Sequence, residues 1–354
     1  MNKFSKFFLV LVASTAINCY AKDTTPTPHS SVAPHLNLAP TQIGPGAKLE
    51  SNPVSAIFDT KNYLYLGTAN GTIWRKAHKA TQWTKLNKLN SFYVNALAVD
   101  YQGTLYAGTS GGIFFIESLN FMEADVTRKA RWQATPLQGV KAYILDILLS
   151  NSKLAPVSQQ KLYTLVQKRG VIWEYDIVSK HWQQLPVCPN KSIFTAINVT
   201  AKNKLYAACS NGSVWQLSQQ TAHYAWQSLG QTKNKRPLQM LLSEDDHIYA
   251  GSRGGRVYQY ESGTWQLLPS DIQLFKKDGS IVWWLAADDW GNLYTVLDST
   301  AVYVYNHKVW HKLMVDAWSL GKLYNGDIVI GITDGKIVRM RPSRNPALFK
   351  VLQN

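Results

Sequence analysis

Residues 104–116 read TLYAGTSGGIFFI, which is a β-prone apolar segment, a glycine turn and a second apolar segment. Strand-forming residues run from Thr104 to Thr109, Ser110-Gly111-Gly112 is a turn signal, and residues 113–116 are apolar again. The pattern predicts a β-hairpin. Both faces of each strand are apolar, so something must cover the hairpin on two sides, whereas a hairpin with one wet face alternates apolar and polar residues.

The same hairpin pattern recurs along the chain with two companion markers. The hairpin copies are YLYLGTANGTIW (63–74), TLYAGTSGGIFF (104–115), KLYTLVQKRGVIW (161–173), KLYAACSNGSVW (204–215), HIYAGSRGGRVY (247–258), NLYTVLDSTAVY (292–303) and DIVIGITDGKIV (327–338). After each copy comes an aromatic residue followed by leucine: Trp83–Leu86, the stretched Trp132–Leu137, Trp182–Leu185, Trp226–Leu229, Trp265–Leu268, Trp310–Leu313 and Phe349–Leu352. Before each copy lies another apolar run: 54–59, 94–100, 144–150, 194–200, 238–244, 282–288 and 315–321.

Each unit therefore reads as four short strands, which we call A to D in chain order. Strand A is the first apolar run, strands B and C form the hairpin, and strand D carries the aromatic marker. A repeat of about 40 residues with four strands is typical of a β-propeller blade. The sequence predicts an all-β protein, a seven-bladed propeller of four-stranded blades, closed by packing between residues 54–86 and 315–352. Stacked blades would bury both faces of every hairpin.

The N-terminal region predicts export. Residues 1–21 read as a signal peptide, with Lys3 and Lys6 before an apolar run, and residues 22–50 as a Thr- and Pro-rich disordered leader, which leaves 51–354 for the propeller. Cys19 raises the alternative of a lipid anchor, but Asn18 before it is a poor fit, and cleavage after Ala21 is favoured. We expect a periplasmic or secreted monomer of bacterial origin with no transmembrane segment.

Charge and cysteine usage narrow the partner. The chain carries 37 Lys and Arg against 22 Asp and Glu, a net charge of +15, which favours acidic partners. Export makes nucleic acid an unexpected partner, so an anionic polysaccharide or an acidic protein is expected. Cys188 and Cys209 remain after signal cleavage, and both fall at the same end of the fourth unit, so we predict a disulfide between them.

The segments LYAGTSGGIF and LYLGTANGTIW resemble the repeats of two-component-regulator propellers and of neuraminidase-type propellers. The likeness covers residues 53–352. It implies the propeller fold but not one function, because such propellers serve as sensors, assembly factors, lectins and glycosidases. The Asp-box of the neuraminidase-type repeat is missing, and only ESGTW (261–265) faintly resembles it. The Trp-Asp dipeptide and the repeat of quinone-dependent dehydrogenase propellers are also absent.

Candidates for catalysis are few. Asp59, Asp100, Glu244–Asp246 and Asp288-Asp289 fall at the A–B turns, where carboxylates serve local hydrogen bonds. Asp146 lies inside a strand A, where it can face the central channel. A glycosidase needs two converging carboxylates, and a sialidase-like site also needs an arginine cluster. The eight histidines are scattered, so we expect no metal and no cofactor.

Sorting the basic residues by turn predicts one basic face. In a propeller the D–A and B–C turns share one face, and the A–B and C–D turns share the other. On the first face we place the candidate binding cations Lys141, Lys168, Arg169, Lys235, Arg236, Arg253 and Arg256. The aromatic residues Tyr93, Tyr143 and Trp283 lie near the starts of strands A on the same face, where rings beside cations suit sugars or a protein partner.

These observations predict an exported, non-catalytic binding or scaffold module that uses its basic face for an anionic glycan or protein. Two alternatives stay open. One is a carbohydrate-active hydrolase or lyase acting on anionic glycans at the propeller funnel. The other is a purely structural interaction protein of the cell envelope, in which the funnel is idle.

Overall fold

The computed structural model describes residues 53–86, 88–89, 93–116, 132–134, 143–150, 160–167, 169–200, 202–220, 223–244, 247–269, 280–298, 300–342 and 350–351. These residues form 28 strands in seven antiparallel sheets of four, each sheet built from consecutive strands. The predicted seven-bladed propeller is therefore confirmed. The predicted signal peptide and leader lie outside the described residues.

Strands A and B form the inner half of each blade. Strands A are β1 (Val54–Asp59), β5 (Val94–Val99), β9 (Ile144–Leu149), β13 (Phe194–Val199), β17 (Leu238–Glu244), β21 (Val282–Ala287) and β25 (Ala317–Lys322). Strands B are β2 (Tyr63–Thr68), β6 (Leu105–Thr109), β10 (Lys161–Val166), β14 (Leu205–Cys209), β18 (His247–Ser252), β22 (Leu293–Leu297) and β26 (Ile328–Ile332).

Strands C and D form the outer half. Strands C are β3 (Ile73–Ala77), β7 (Gly112–Ile116), β11 (Val171–Asp176), β15 (Ser213–Gln220), β19 (Val257–Glu261), β23 (Ala301–Asn306) and β27 (Ile337–Arg341). Strands D are β4 (Thr84–Lys85), β8 (Gln133–Ala134), β12 (His181–Gln184), β16 (His223–Gln231), β20 (Thr264–Leu267), β24 (Val309–Val315) and β28 (Lys350–Val351).

One strand boundary differs from the sequence prediction. The apolar run 315–321 was expected to form the last strand A, but Val315 ends β24 and the turn falls at Asp316, which has a φ of 61°. Asp and Asn accept left-handed backbone more readily than β-branched residues do, so the turn forms at Asp316 rather than before Val315.

Strands A form the inner ring, and each touches the strands A of the two neighbouring blades. All seven carry a register shift between their first and third residues, which is a β-bulge in the same place in every blade. Side chains near the bulge tie blades together. Ser55 Oγ donates to Val94 O at 2.7 Å and Asn95 Nδ2 donates to Ile144 O at 2.7 Å. The bulge thus exposes carbonyls to the preceding blade.

The ring closes between the first and last blades by packing. Ser319 Oγ in β25 donates to Val54 O in β1 at 2.6 Å, although the two residues are 265 positions apart. Val54, Leu66, Val329 and Ile337 form one buried cluster across this interface. The last blade contains its own four strands, so closure follows the prediction and requires no strand exchange.

The glycine of the Leu-Tyr-x-Gly motif has a packing role. An added Cβ on Gly67 or Gly251 would collide with the first residue of the next strand A, Val94 or Val282. At Gly108 it would lie 2.8 Å from Cγ2 of Ile144. These strands therefore need glycine because the neighbouring blade approaches the backbone too closely for a side chain.

Three of the aromatic markers on strands D have a clear packing role. Trp182, Trp265 and Trp310 are buried between blades. Trp265 also donates from Nε1 to Leu229 O of the preceding blade at 3.0 Å, and its ring lies 5.2 Å from that of Tyr260 on strand C. Large aromatic residues thus fill the gap that widens toward the outside of the ring.

The predicted disulfide is present. Cys188 and Cys209 are joined by an S–S bond of 2.04 Å, with their Cα atoms 6.8 Å apart and 21 positions between them in the sequence. The bond attaches the D–A turn before the fourth blade to the end of β14. It therefore fixes a turn that carries part of the basic face.

Candidate functional site

The antiparallel order of the strands places the D–A and B–C turns at one end of the propeller and the A–B and C–D turns at the other. We call these the D–A/B–C face and the A–B/C–D face. The predicted residues Lys141 and Lys168 lie outside the described residues. The other predicted cations lie on the D–A/B–C face of blades three to five.

Turns of neighbouring blades bring these cations together. Phe194 N donates to Gly170 O at 3.1 Å, which holds the B–C turn with Arg169 against the D–A turn with Lys191. Arg253 N donates to Pro237 O at 3.0 Å, which holds the B–C turn of the fifth blade against the segment that carries Lys233, Lys235 and Arg236. We define the basic patch as the cations of these turns: Arg169, Lys191, Lys233, Lys235, Arg236, Arg253 and Arg256.

Most of the basic patch is exposed, and Lys191, Lys233, Lys235 and Arg236 belong to a stretch of chain without acidic residues. Arg169, Lys191, Lys233, Lys235 and Arg253 are exposed, while Arg236 and Arg256 are half-buried. Between Asp176 and Glu244 the chain has no Asp or Glu, and its seven charged residues are all Lys or Arg. This stretch of the chain therefore contributes only positive charge to the ring.

The three predicted aromatic residues are half-buried within the inner ring. Tyr143 is hydrogen bonded to the Asn95 side chain and lies close to Tyr93, and burial raises the pKa of the Tyr143 hydroxyl. Trp283 is the second residue of β21. The three residues lie at the D–A end of strands A, as expected, but none lines the central cavity described next.

A cavity of about 820 Å³ occupies the other end of the channel and opens among the A–B turns. Its wall is formed by the fourth residue of each strand A, an Ile or Leu in every blade, together with Met240 and Trp284. Tyr101 and Tyr324 line the mouth, and both are exposed. A volume of this size, with apolar walls and a few polar groups, is typical of small-molecule sites.

Most carboxylates around the cavity are used by the fold. Asp100 Oδ1 accepts hydrogen bonds from the backbone N–H groups of Gln102 and Thr104, and Tyr106 donates to Oδ2 at 3.0 Å. Asp288 of the sixth blade accepts the corresponding bonds from Trp290, Asn292 and Tyr294. The structural role predicted for A–B turn carboxylates is thus observed at both positions.

The remaining mouth carboxylates lie close to a basic side chain. Asp59 contacts His78 Nε2 at 3.0 Å and accepts from Tyr324 N at 2.8 Å, while burial raises the pKa of its carboxyl group. Lys322 of the seventh blade contacts Glu244 of the fifth blade at 2.5 Å and Asp289 of the sixth at 2.9 Å. This three-blade ion pair lies at the mouth of the cavity.

Asp146 is the carboxylate that the fold does not use in this way. It is the third residue of β9 and lines the cavity, which agrees with the prediction that it can face the central channel. Protein surrounds it, although the channel leaves part of its surface accessible. Burial raises the pKa of Asp146 to about 7, and only the N–H of Ile147 opposes the shift. None of the described Lys, Arg or His residues forms an ion pair with it.

The sequence offered a signal for the cavity mouth that the prediction did not use. Tyr101, Trp290 and Tyr324 follow the ends of strands A, where polar turn residues are the rule, and they are 41%, 53% and 64% exposed. Large exposed aromatic residues at one end of a channel indicate a wet, amphipathic rim.

The described residues hold neither a metal-binding cluster nor a membrane-spanning helix. They contain no group of three or more His, Cys, Asp or Glu arranged to hold a metal ion. No helix with the length and apolar character needed to cross a membrane was found among them either.

No protein-family model matches the chain, and no curated protein sequence matches it. Many solved structures do. The extracellular domain of BT4673 from B. thetaiotaomicron, which carries the name of a one component system, has a TM-score of 0.65 at 15% identity, over 87% of this chain and 40% of its own. This chain thus spans about two-fifths of that relative.

Two further structures match over nearly their whole length. Virginiamycin B lyase from Staphylococcus aureus has a TM-score of 0.63 at 10% identity, over 82% of this chain and 94% of its own. The WD40 β-propeller domain of Doa1 has a TM-score of 0.61 at 12% identity, over 85% and 96%. At these identities the likeness shows the β-propeller fold alone. The regulator-type resemblance agrees with the first neighbour, and the neuraminidase-type resemblance stays a prediction.

Proposed function

We propose that this protein is an exported, non-catalytic binding module that holds a polyanion, an acidic polysaccharide or an acidic protein segment, on the D–A/B–C face of blades three to five. The observation that carries this proposal is the basic patch. Seven cations from four turns of three consecutive blades lie on one face, and the chain between Asp176 and Glu244 contributes no acid to it.

Two turns of the patch hold a lysine in the left-handed backbone region. Lys191 and Lys235 adopt φ values of 54° and 49°, in the left-handed region where Gly or Asn costs less. The disulfide at Cys188 fixes the first of these turns. A rigid array of cations loses little entropy when a polyanion binds, so its weak individual contacts add together.

Export is part of the proposal. It is supported by the predicted signal peptide, by the disulfide, which is typical of oxidising compartments, and by an extracellular domain among the structural neighbours. We place the protein in the periplasm or outside the cell.

The hydrolase or lyase alternative finds less support at the cavity. Asp100 is engaged by its own turn and Glu244 by Lys322, while Asp59 accepts a hydrogen bond from Tyr324 N through Oδ2 only. Among the described residues that line the cavity, Asp146 is the single carboxylate in the first four positions of a strand A, and Asp59, whose Oδ1 has no hydrogen-bond partner, lies at the end of β1, whereas glycoside hydrolysis commonly needs two carboxylates that flank one bond.

The test compares two charge-reversal variants of equal net charge. The patch variant carries Lys191→Glu, Lys233→Glu and Lys235→Glu, and the control carries Lys79→Glu, Lys180→Glu and Lys204→Glu on the A–B/C–D face. All six lysines are exposed. The probes are heparin, a sulfated polysaccharide, and poly-L-glutamate, an acidic polypeptide, each titrated against the parent at several salt concentrations.

We expect the patch variant to lose about tenfold or more in affinity, since exposed ion pairs contribute up to about 1 kcal/mol each. The control should lose much less, and parent affinity should fall steeply with salt because screening acts over about 8 Å at physiological ionic strength. Equal losses in both variants, or affinity that ignores salt, would refute the proposal. Shortening of the heparin chains by the parent would favour the enzyme alternative.

A further inference from the structure

The cavity at the A–B end of the channel is separate from the basic patch and has a different chemistry. Its walls are apolar, with Ile147, Leu241 and Leu285 among the strand A residues that line it. Its size suits a small molecule rather than a polymer. The polyanion proposed above needs none of these residues, so the cavity is free for another ligand.

Asp146 is exceptional among the residues of the inner ring. All seven strands A are described, and their third residues are Ala56, Ala96, Asp146, Ala196, Met240, Trp284 and Ser319. Ser319 uses its hydroxyl to close the ring by bonding Val54 O. Asp146 makes no such contact with the next blade, and it is the single ionisable residue in the first four positions of these strands. The fold therefore does not require a carboxylate there.

A carboxylate in apolar surroundings is costly unless a positive group neutralises it. Three of the described cations line the cavity, and none pairs with Asp146: Lys322 pairs with Glu244 and Asp289, the Arg75 guanidinium lies over the Tyr63 ring, 4.8 Å from its centroid, and Lys61 is exposed in the first A–B turn. Trp284 lies three blades away from Asp146, on the far side of the same ring of residues. An indole face attracts a cation, as a carboxylate does.

We propose that this cavity binds a small amphipathic amine, whose ammonium group pairs with Asp146 while its apolar body lies against the Ile and Leu wall and Trp284. The charge of the ligand compensates the buried carboxylate, and the ligand covers apolar surface that otherwise faces the channel. The aromatic residues Tyr101 and Tyr324 at the mouth flank the entry path.

The test uses three probes of similar shape and different charge on the full chain: 2-phenylethylamine, 2-phenylethanol and 3-phenylpropanoate. Binding is measured by calorimetry at pH 8 for the parent, Asp146→Asn and the control Asp316→Asn. Asp316 is exposed on the D–A/B–C face, so the control makes the same chemical change away from the cavity.

We expect the parent to bind the amine more tightly than the alcohol and the carboxylate. Asp146→Asn should lose about tenfold or more of the amine affinity, as expected for a hydrogen bond between charged groups, while alcohol binding stays unchanged. Asp316→Asn should bind like the parent. Equal binding of amine and alcohol, equal amine binding by parent and Asp146→Asn, or no amine binding at millimolar concentration would overturn the proposal. A melting curve of free Asp146→Asn shows that it folds.

Discussion

Replacing Asp146 by Asn should change the stability of the protein in a pH-dependent way. Burial raises the pKa of Asp146 to about 7 in the folded protein, whereas an unfolded chain releases this proton near pH 3.8. The folded state therefore binds the proton more tightly, and the free energy of unfolding falls as the pH rises from about 4 to about 7. The contribution levels off about one pH unit above the folded-state pKa, near pH 8.

The magnitude follows from the size of the shift. A displacement of about three pKa units corresponds to about 4 kcal/mol, at 1.36 kcal/mol per unit, as an upper bound for the penalty at pH 8. Asn has the same shape and no charge at any pH. Asp146→Asn should then match the parent near pH 4 and be more stable than the parent at pH 8, by up to about 4 kcal/mol.

Urea denaturation at pH 4.5, 6 and 8 measures this difference for the parent, Asp146→Asn and the control Asp316→Asn. A shift in the midpoint at constant slope reports stability directly. The reasoning fails if Asp146→Asn follows the parent at every pH, or if it is less stable than the parent at pH 8. Together with the amine titration, this variant separates a binding role from a structural one, because a structural carboxylate would destabilise the protein when replaced.

Three further predictions concern the framework. Cys188→Ser should lower the free energy of unfolding by about 3 kcal/mol, the chain-entropy value for a loop of this length, and should lower the melting temperature in calorimetry. Tyr294→Phe should cost about 1–2 kcal/mol because it removes a buried hydrogen bond to a carboxylate, while Tyr258→Phe should be neutral, since the Tyr258 hydroxyl has no partner among the described residues. Gly251→Ala should cost about 1–3 kcal/mol through overpacking against Val282, measured by urea denaturation.

Each of these predictions has a contrary outcome. Unchanged melting of Cys188→Ser would mean that the turn is held by packing alone. Equal effects at the two tyrosines would show that ring burial outweighs the hydroxyl contacts. A neutral Gly251→Ala would show that neighbouring blades separate without cost.

The blade architecture was predictable because every repeat contains residues that mark where its strands begin and end. Each repeat has a hairpin with a glycine in its turn and an aromatic residue on strand D. The glycine allows the positive φ of the turn, and the aromatic ring fills the gap between blades. The role of Gly251 was not predictable in the same way. In sequence it resembles a turn residue, but glycine is needed there because Val282 of the next blade approaches the backbone closely.

The candidate sites were predictable only in part. Assigning cations to turns indicates which face they occupy, because strand order fixes the face. It does not show that Arg169 and Lys191 lie in adjoining turns, since that depends on the bond between Phe194 and Gly170. The sequence did not predict at which end of the channel the cavity lies. Its position depends on the width of the channel between packed strands A, which Met240 and Trp284 help to set.

Lysine footprinting shows whether the basic patch is the binding face. Free protein and protein saturated with heparin are acetylated briefly, and the modified lysines are counted by mass spectrometry. Heparin should protect the exposed lysines of the patch, Lys191, Lys233 and Lys235, from acetylation. The lysines of the opposite face, Lys79, Lys180 and Lys204, should stay reactive. Equal protection of both sets, or protection of the second set alone, would contradict it.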